Sequence, residues 1–213
     1  MSAYDLEEQE QLAELKAWWK TNGNTVLGAA IAVLLAVAAW NGWSWYQRAQ
    51  SAQAGGLYDT LQKAARANDL KATRDAAGAI LESYPRTTYA PLAALTSAKV
   101  HFQAGDLKTA RAQLGWVVDH ARNAQLRDIA RLRLVNVLID DGAPDEALKV
   151  LDAKPDPAFE ALFAAARGDV LVLEKKPAEA RTAYRSALDK ASDKDGTLRE
   201  SLRLKLDALG EGS

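Results

Sequence analysis

The chain has 213 residues, 48% of them apolar and 26% charged, with a formal net charge of −1. That length suits one domain, or one domain with an appendage, and the composition excludes collagen-like, disulfide-framed and disordered chains. Aromatics at 7%, only three Phe, six Pro and 13 Gly, with long Ala, Leu, Lys, Glu and Arg runs, favour an all-α fold over short alternating strands. There is no cysteine, which removes disulfides, thiolate metal sites and a Cys nucleophile, and leaves the redox compartment open.

The first element is a leader over 1–24 that carries Asp5, Glu7, Glu8, Glu10 and Glu14. Leu12, Leu15 and Trp19 fall on one stripe of a helix, which suits an interfacial entry helix or a small contact surface. No charged residue lies between Lys20 and Arg48, and Val26–Trp40 reads VLGAAIAVLLAVAAW. A helix over 25–46 is about 33 Å long at about 1.5 Å per residue, which matches a hydrocarbon core of about 30 Å. Trp18 and Trp19 flank it on one side, and Trp40, Trp43, Trp45 and Tyr46 on the other, as interfacial belts do. The competing readings are a buried core helix, which this length without charge opposes, and a cleaved signal peptide. Ala36-x-Ala38 and Ala52-x-Ala54 resemble cleavage sites, yet the start is acidic where a signal peptide is basic. Lys16, Lys20 and the terminal amine on one side balance Arg48, Lys63 and Arg66 on the other, so positive charge leaves the orientation open. The span contains no G-x-x-x-G pattern that would pair two copies tightly.

The remainder, 47–213, holds 25 of the 27 basic and 23 of the 28 acidic residues. It is near neutral, which argues against nucleic acid as a partner. Helix-length apolar patterns alternate with short breaks at Asn68-Asp69, Pro85, Gly105-Asp106, Gly142-Ala143-Pro144, Pro155-Asp156-Pro157 and Pro177. They pair as 50–67 with 69–83, 90–104 with 107–121, 125–140 with 144–153 and 158–174 with 177–191, and a last helix over 196–209 carries Leu198, Leu202, Leu206 and Leu209.

Internal similarity is specific. Gly105, Gly142 and Lys175 are each followed five residues later by Ala110, Ala147 and Ala180, and four later again by Leu114, Leu151 and Tyr184. One period earlier stands Thr73, in a weaker copy. Twelve residues before each alanine come Ala98, Val135 and Gly168, where two helices of a pair are expected to cross closely; Val135 is large for such a place. Two helices per unit and a period near 34 resemble tetratricopeptide repeats over 50–191, with the last helix as a cap.

No phosphate loop, dinucleotide fingerprint, nucleophile elbow or H-E-x-x-H is present, so no catalytic, cofactor or metal residue is assigned and no enzyme is expected. His101 and His120 sit near helix ends, where imidazole favours the last carbonyls. Asp140-Asp141 reads as a solvated capping pair. Arg122, Arg127, Arg131 and Arg133, with Asp128 beside them, read as a solvated face or a docking patch. The candidate site is a surface lined by the first helices of successive pairs: Leu92, Leu95, Lys99 and Phe102; then Ile129, Leu132, Asn136 and Ile139; then Asp169, flanked by Leu162, Ala165 and Val172. Such a groove would hold a partner segment, or the stripe would be packing between repeats.

The organisation resembles a narrower family as well. The acidic leader, Asn22-Gly23-Asn24 entering a single span, Trp43-x-Trp45-Tyr46 leaving it, Thr88-Tyr89-x-x-Leu92-Ala93, Leu132-Arg133-Leu134, Ala166-Arg167-Gly168-Asp169 and Leu202-x-Leu204-Lys205 are similar to the YfgM family of ancillary SecYEG translocon subunits. The resemblance implies a bacterial inner-membrane protein with a cytoplasmic leader and a periplasmic domain. It also implies association with SecYEG and the membrane-anchored chaperone PpiD, and a part in passing exported client proteins to periplasmic chaperones. A scaffold of another envelope assembly, or a regulator acting through its leader, are the competing expectations.

Overall fold

The computed structural model describes residues 3–210, and the side chains of 11–210. Among the described residues there are nine α-helices, one 3-10 turn and no strand. The chain divides into two compact units, one ending at Gln50 and one beginning at Ser51.

Helix α1, Ala3–Arg66, is uninterrupted over 64 residues, where the sequence suggested a leader, a span and a first repeat helix. Polar side chains near the start of the apolar stretch bond back within the helix. Thr21 Oγ1 donates to Ala17 O, and Asn22 Nδ2 to Trp18 O, both at 3.1 Å, while Gly23 leaves room for the Trp19 indole. The acidic side chains Asp5, Glu7, Glu8 and Glu10 lie outside the described residues. In the first unit the apolar side chains point outward: Leu34 is 68% and Trp40 72% exposed. Exposure on every face overturns the buried-core reading of this stretch. The helix is long and apolar enough to cross a membrane.

The second unit is a run of helix pairs. The end of α1 pairs with α2 (Leu70–Ser83), α3 (Tyr89–Gln103) with α4 (Leu107–His120), α5 (Ala124–Asp140) with α6 (Pro144–Val150), and α7 (Glu160–Leu173) with α8 (Pro177–Lys190); α9 (Gly196–Ala208) closes the run. The helices start where the sequence places caps. Asp69, Asp106 and Asn123 accept from the amides of Ala72, Thr109 and Leu126 at 2.9, 3.1 and 3.0 Å, and Pro144 and Pro177 open α6 and α8.

One turn recurs at the same register in all four pairs. Asn68, Gly105, Gly142 and Lys175 adopt positive φ. The next amide in each case bonds back five residues: Asp69 to Ala64 O, Asp106 to His101 O, Ala143 to Leu138 O and Lys176 to Leu171 O, at 2.8–3.0 Å. This is the left-handed helix stop that glycine makes without strain. The alanines counted from it, Ala110, Ala147 and Ala180, are fully buried, and so is Thr73 in the first copy.

The crossing residues differ in size from pair to pair. Ala98 and Leu114, and Val135 and Leu151, are buried in one core cluster. Gly168 faces Tyr184 so closely that a Cβ there would lie 2.3 Å from the ring. In the first pair the sizes are exchanged, with Leu61 and Ala77 both fully buried. Val135 is nonetheless accommodated, 1% exposed and in the same core cluster as Leu151, so a small residue on one side is not required in every pair. The cap is held by Leu202, 1% exposed, and by Arg199 Nη1, which donates to Leu188 O and Ala191 O at 3.0 and 2.9 Å.

Helix α6 departs from the pattern. It has seven residues where α2, α4 and α8 have 14. Pro155 and Pro157 bar it from reaching the length of the others: proline lacks the helix donor and pushes its predecessor out of the helical region. A 3-10 turn at Pro157–Phe159 then leads into α7.

Candidate groove between the first helices of successive repeats

The solenoid connectivity sets α3 beside α5 and α5 beside α7. Lys99, Asn136 and Asp169, each next after the crossing residue of its pair (Ala98, Val135 and Gly168), therefore follow one another along a single face. Of the nine predicted groove residues, the structure brings Lys99, Phe102 and Asn136 around one cavity of about 270 Å³, floored by Ala98, Leu114 and Val137. Leu92 is exposed farther along α3. Ile129, Leu132 and Ile139 are half-buried and rest on the core. Leu95 is placed differently: it is 7% exposed and belongs to the core cluster, so it packs and does not line the groove.

Asp169 has a second task. Its Oδ1 accepts from Tyr184 Oη at 2.7 Å and from Lys205 Nζ at 2.6 Å, which ties α7 to α8 and to the cap. Burial, and then the bond to this carboxylate, push the Tyr184 phenol above its ordinary 10.

Arg133 also lines this cavity, although the sequence pattern sets it in an arginine face. The structure takes that run apart. Arg127 Nη1 donates to Ala121 O at 2.7 Å and so closes the end of α4. Arg131 pairs with Asp128 at 2.8 Å. Asp128 is 1% exposed, and its other oxygen accepts the amide of Asp156 at 2.8 Å. Arg133 alone of these lines the cavity. The available signal was its spacing, three residues before Asn136, which puts both on one helix face.

The histidines also separate. His120 behaves as expected for a helix end, with Nδ1 2.9 Å from Trp116 O and its ring stacked on the Trp116 indole at 4.8 Å. His101 instead is buried, and its Nδ1–H donates to Asp106 Oδ2 at 2.9 Å, since a carboxylate can only accept. It braces the carboxyl that caps α4 and makes no bond to a last carbonyl. Bonds from Thr109, and then from His101, hold the Asp106 carboxyl below its ordinary 3.8. Asp140 and Asp141 are exposed, as a solvated pair would be. Among the described residues no group of three or more His, Asp or Glu is placed to hold a metal ion.

A second hollow, about 710 Å³, lies where α6 falls short and is lined by Leu151, Phe163, Leu171 and Ala183 with charged residues at its edge. The paired prolines were its trace in the sequence.

The groove sits in a domain with identifiable relatives. The family model described as a tetratricopeptide repeat-like domain matches residues 16–211. A Neisseria gonorrhoeae protein named ancillary SecYEG translocon subunit is 31% identical over 97% of this chain and 99% of its own length. The chain belongs to this family. A family member of the same name from Haemophilus influenzae is 30% identical over 89% of this chain and 93% of its own length. One from Escherichia coli is 27% identical over 95% and 96%. The family model starts at residue 16, so it takes in the apolar stretch as well as the repeats.

Proposed function

We propose that this protein is a membrane-tethered interaction module of the Sec translocon. Residues 25–46 cross the inner membrane, the leader faces the cytoplasm and the repeat domain faces the periplasm. There the groove over α3, α5 and α7 receives a segment of the translocon, of the membrane-anchored chaperone PpiD or of an exported client, and so helps pass clients to periplasmic chaperones. The observation that carries this reading is the groove itself: an apolar-floored cavity between α3 and α5, with Leu92 of α3 and Leu162 of α7 left exposed, on a domain whose relatives are named as ancillary translocon subunits. Stacked helix pairs of this kind present concave surfaces that bind other chains, and the side chains offer docking rather than catalysis.

The test is photo-crosslinking from Leu92 and from Ile139 in native inner membranes. Adducts to a SecYEG subunit or to PpiD are expected, and recovery of neither overturns the proposal. A reporter fused after Ser213 that is active only in the periplasm tests the orientation independently. Activity of the cytoplasmic counterpart instead would reverse the topology.

A further inference from the structure

The cavity between α3 and α5 has an uneven charge. Its lining contains two cations, Lys99 and Arg133, one amide, Asn136, and no carboxylate. Lys99 and Arg133 have no carboxylate within 4 Å among the described residues. The domain is near neutral, and several of its other cations do have a carboxylate beside them: Arg111 with Glu146, Arg167 with Asp152, Lys190 with Glu160. The next carboxylate along the groove, Asp169, is already held by Lys205. Two exposed cations with no carboxylate between them therefore stand at the mouth of an apolar hollow, which favours an anionic visitor over a cationic one.

The floor asks for something different from the rim. Ala98, Leu114 and Val137 are buried and carry no polar side-chain atom, and Phe102 forms one wall while half-buried. At about 270 Å³ the hollow is smaller than most small-molecule sites, and it suits one large side chain. Apolar depth with a cationic edge matches a polypeptide segment in which a single Phe or Leu is flanked by Asp or Glu. The apolar side chain fills the hollow, and the carboxylates lie over Lys99 and Arg133 with Asn136 free to hydrogen-bond the segment's backbone.

We infer that the groove of this protein selects acidic partner segments with one large apolar anchor, by seating the anchor between Phe102 and Val137 and pairing its flanking carboxylates with Lys99 and Arg133. This deepens the docking role proposed above and rests on it.

The test uses the full chain in nanodiscs of zwitterionic lipid, so that the bilayer does not compete for charge. The probes are three labelled peptides read by fluorescence anisotropy: Ser-Asp-Glu-Phe-Asp-Glu-Gly, the same peptide with every acid replaced by Lys, and the acidic peptide with Gly in place of Phe. The acidic Phe peptide is expected to bind at least about tenfold tighter than either comparator. Its affinity should fall as salt shortens the screening length from about 30 Å at 0.01 M to about 8 Å at 0.15 M. In the Lys99→Glu, Arg133→Glu double variant, shown folded by an unchanged helical signal and Tm, the preference should pass to the lysine peptide. Equal binding of both charged peptides, or a double variant that keeps the acidic preference, overturns the inference and leaves the groove as a docking surface without charge selection. Binding of none of the peptides also overturns it, and the docking role then stands or falls on the crosslinks from Leu92 and Ile139, which need no peptide.

Discussion

Leu34 and Leu61 lie on the same helix, and one is 68% exposed while the other is fully buried. Around Leu34 the apolar residues surround the helix, so no orientation hides them from water, and the segment suits a solvent that is itself apolar. Around Leu61 they keep to one face, which a second helix covers: Leu61 shares its core with Ala77 and Ile80 of α2 and Ala93 of α3. Equal hydrophobicity thus supports two kinds of helix, and the angular distribution of the side chains separates them.

The largest expected effects test that difference directly. Ala110→Asp places an unpaired carboxylate where exposure is zero. It should cost several kcal/mol and abolish the cooperative thermal transition, while the protein stays in the membrane fraction. Val33→Asp, at a position 63% exposed, should do the reverse. The domain's Tm should be unchanged, and membrane integration should fall by about 2.5–3.5 kcal/mol per charge at the span centre, read by alkaline extraction. If both variants lower the Tm equally, the two regions are not distinguished by solvent as argued.

Within the repeats, Gly168→Ala brings a methyl group against a ring that is 2% exposed and tethered through its hydroxyl to Asp169. About 1–3 kcal/mol of destabilisation is expected. Adding Tyr184→Leu, the residue type at the matching positions 114 and 151, should return part of it in a double-mutant cycle. Strict additivity would show that the two positions do not share one volume.

Asp106→Ala removes the α4 cap and the partner of His101, for about 1 kcal/mol at neutral pH. The folded carboxyl titrates below its ordinary 3.8, so its contribution is complete above that value and lost as pH falls through the lower, folded one. The Tm gap between wild type and variant should therefore narrow below pH 3.8. A gap that stays constant to lower pH would mean that the ionised carboxyl contributes nothing beyond packing. The smallest effect is a gain. Lys175 holds φ +59 at the turn where two equivalent residues are glycine, so Lys175→Gly should raise stability by about 1 kcal/mol or less in denaturant titration.

Much of the fold was legible because its signals are local. The breaks at Gly105, Gly142 and Pro177, the buried alanines counted from them and the leucines of the cap all sit where the spacing puts them. The groove was legible only by analogy between repeats. Of the residues it lines up, Lys99, Phe102 and Asn136 meet at one cavity and Leu95 packs in the core, because a position's distance from the turn does not say whether a neighbouring helix covers it. Arg133 was hidden in a run with Arg122, Arg127 and Arg131, whose side chains the structure sends to different tasks.

By itself the sequence determined where helices start and stop, which stretch cannot be hidden from water by packing, and the period of the array. These follow from caps, backbone constraints and apolar patterning acting over a few turns. Tertiary structure decided which volumes face each other, as with Gly168 and Tyr184. It decided which charges are consumed in pairs, as with Asp169 and Lys205, and which are left open, as with Lys99 and Arg133. Those outcomes depend on distances between residues far apart in the chain, which no local pattern records.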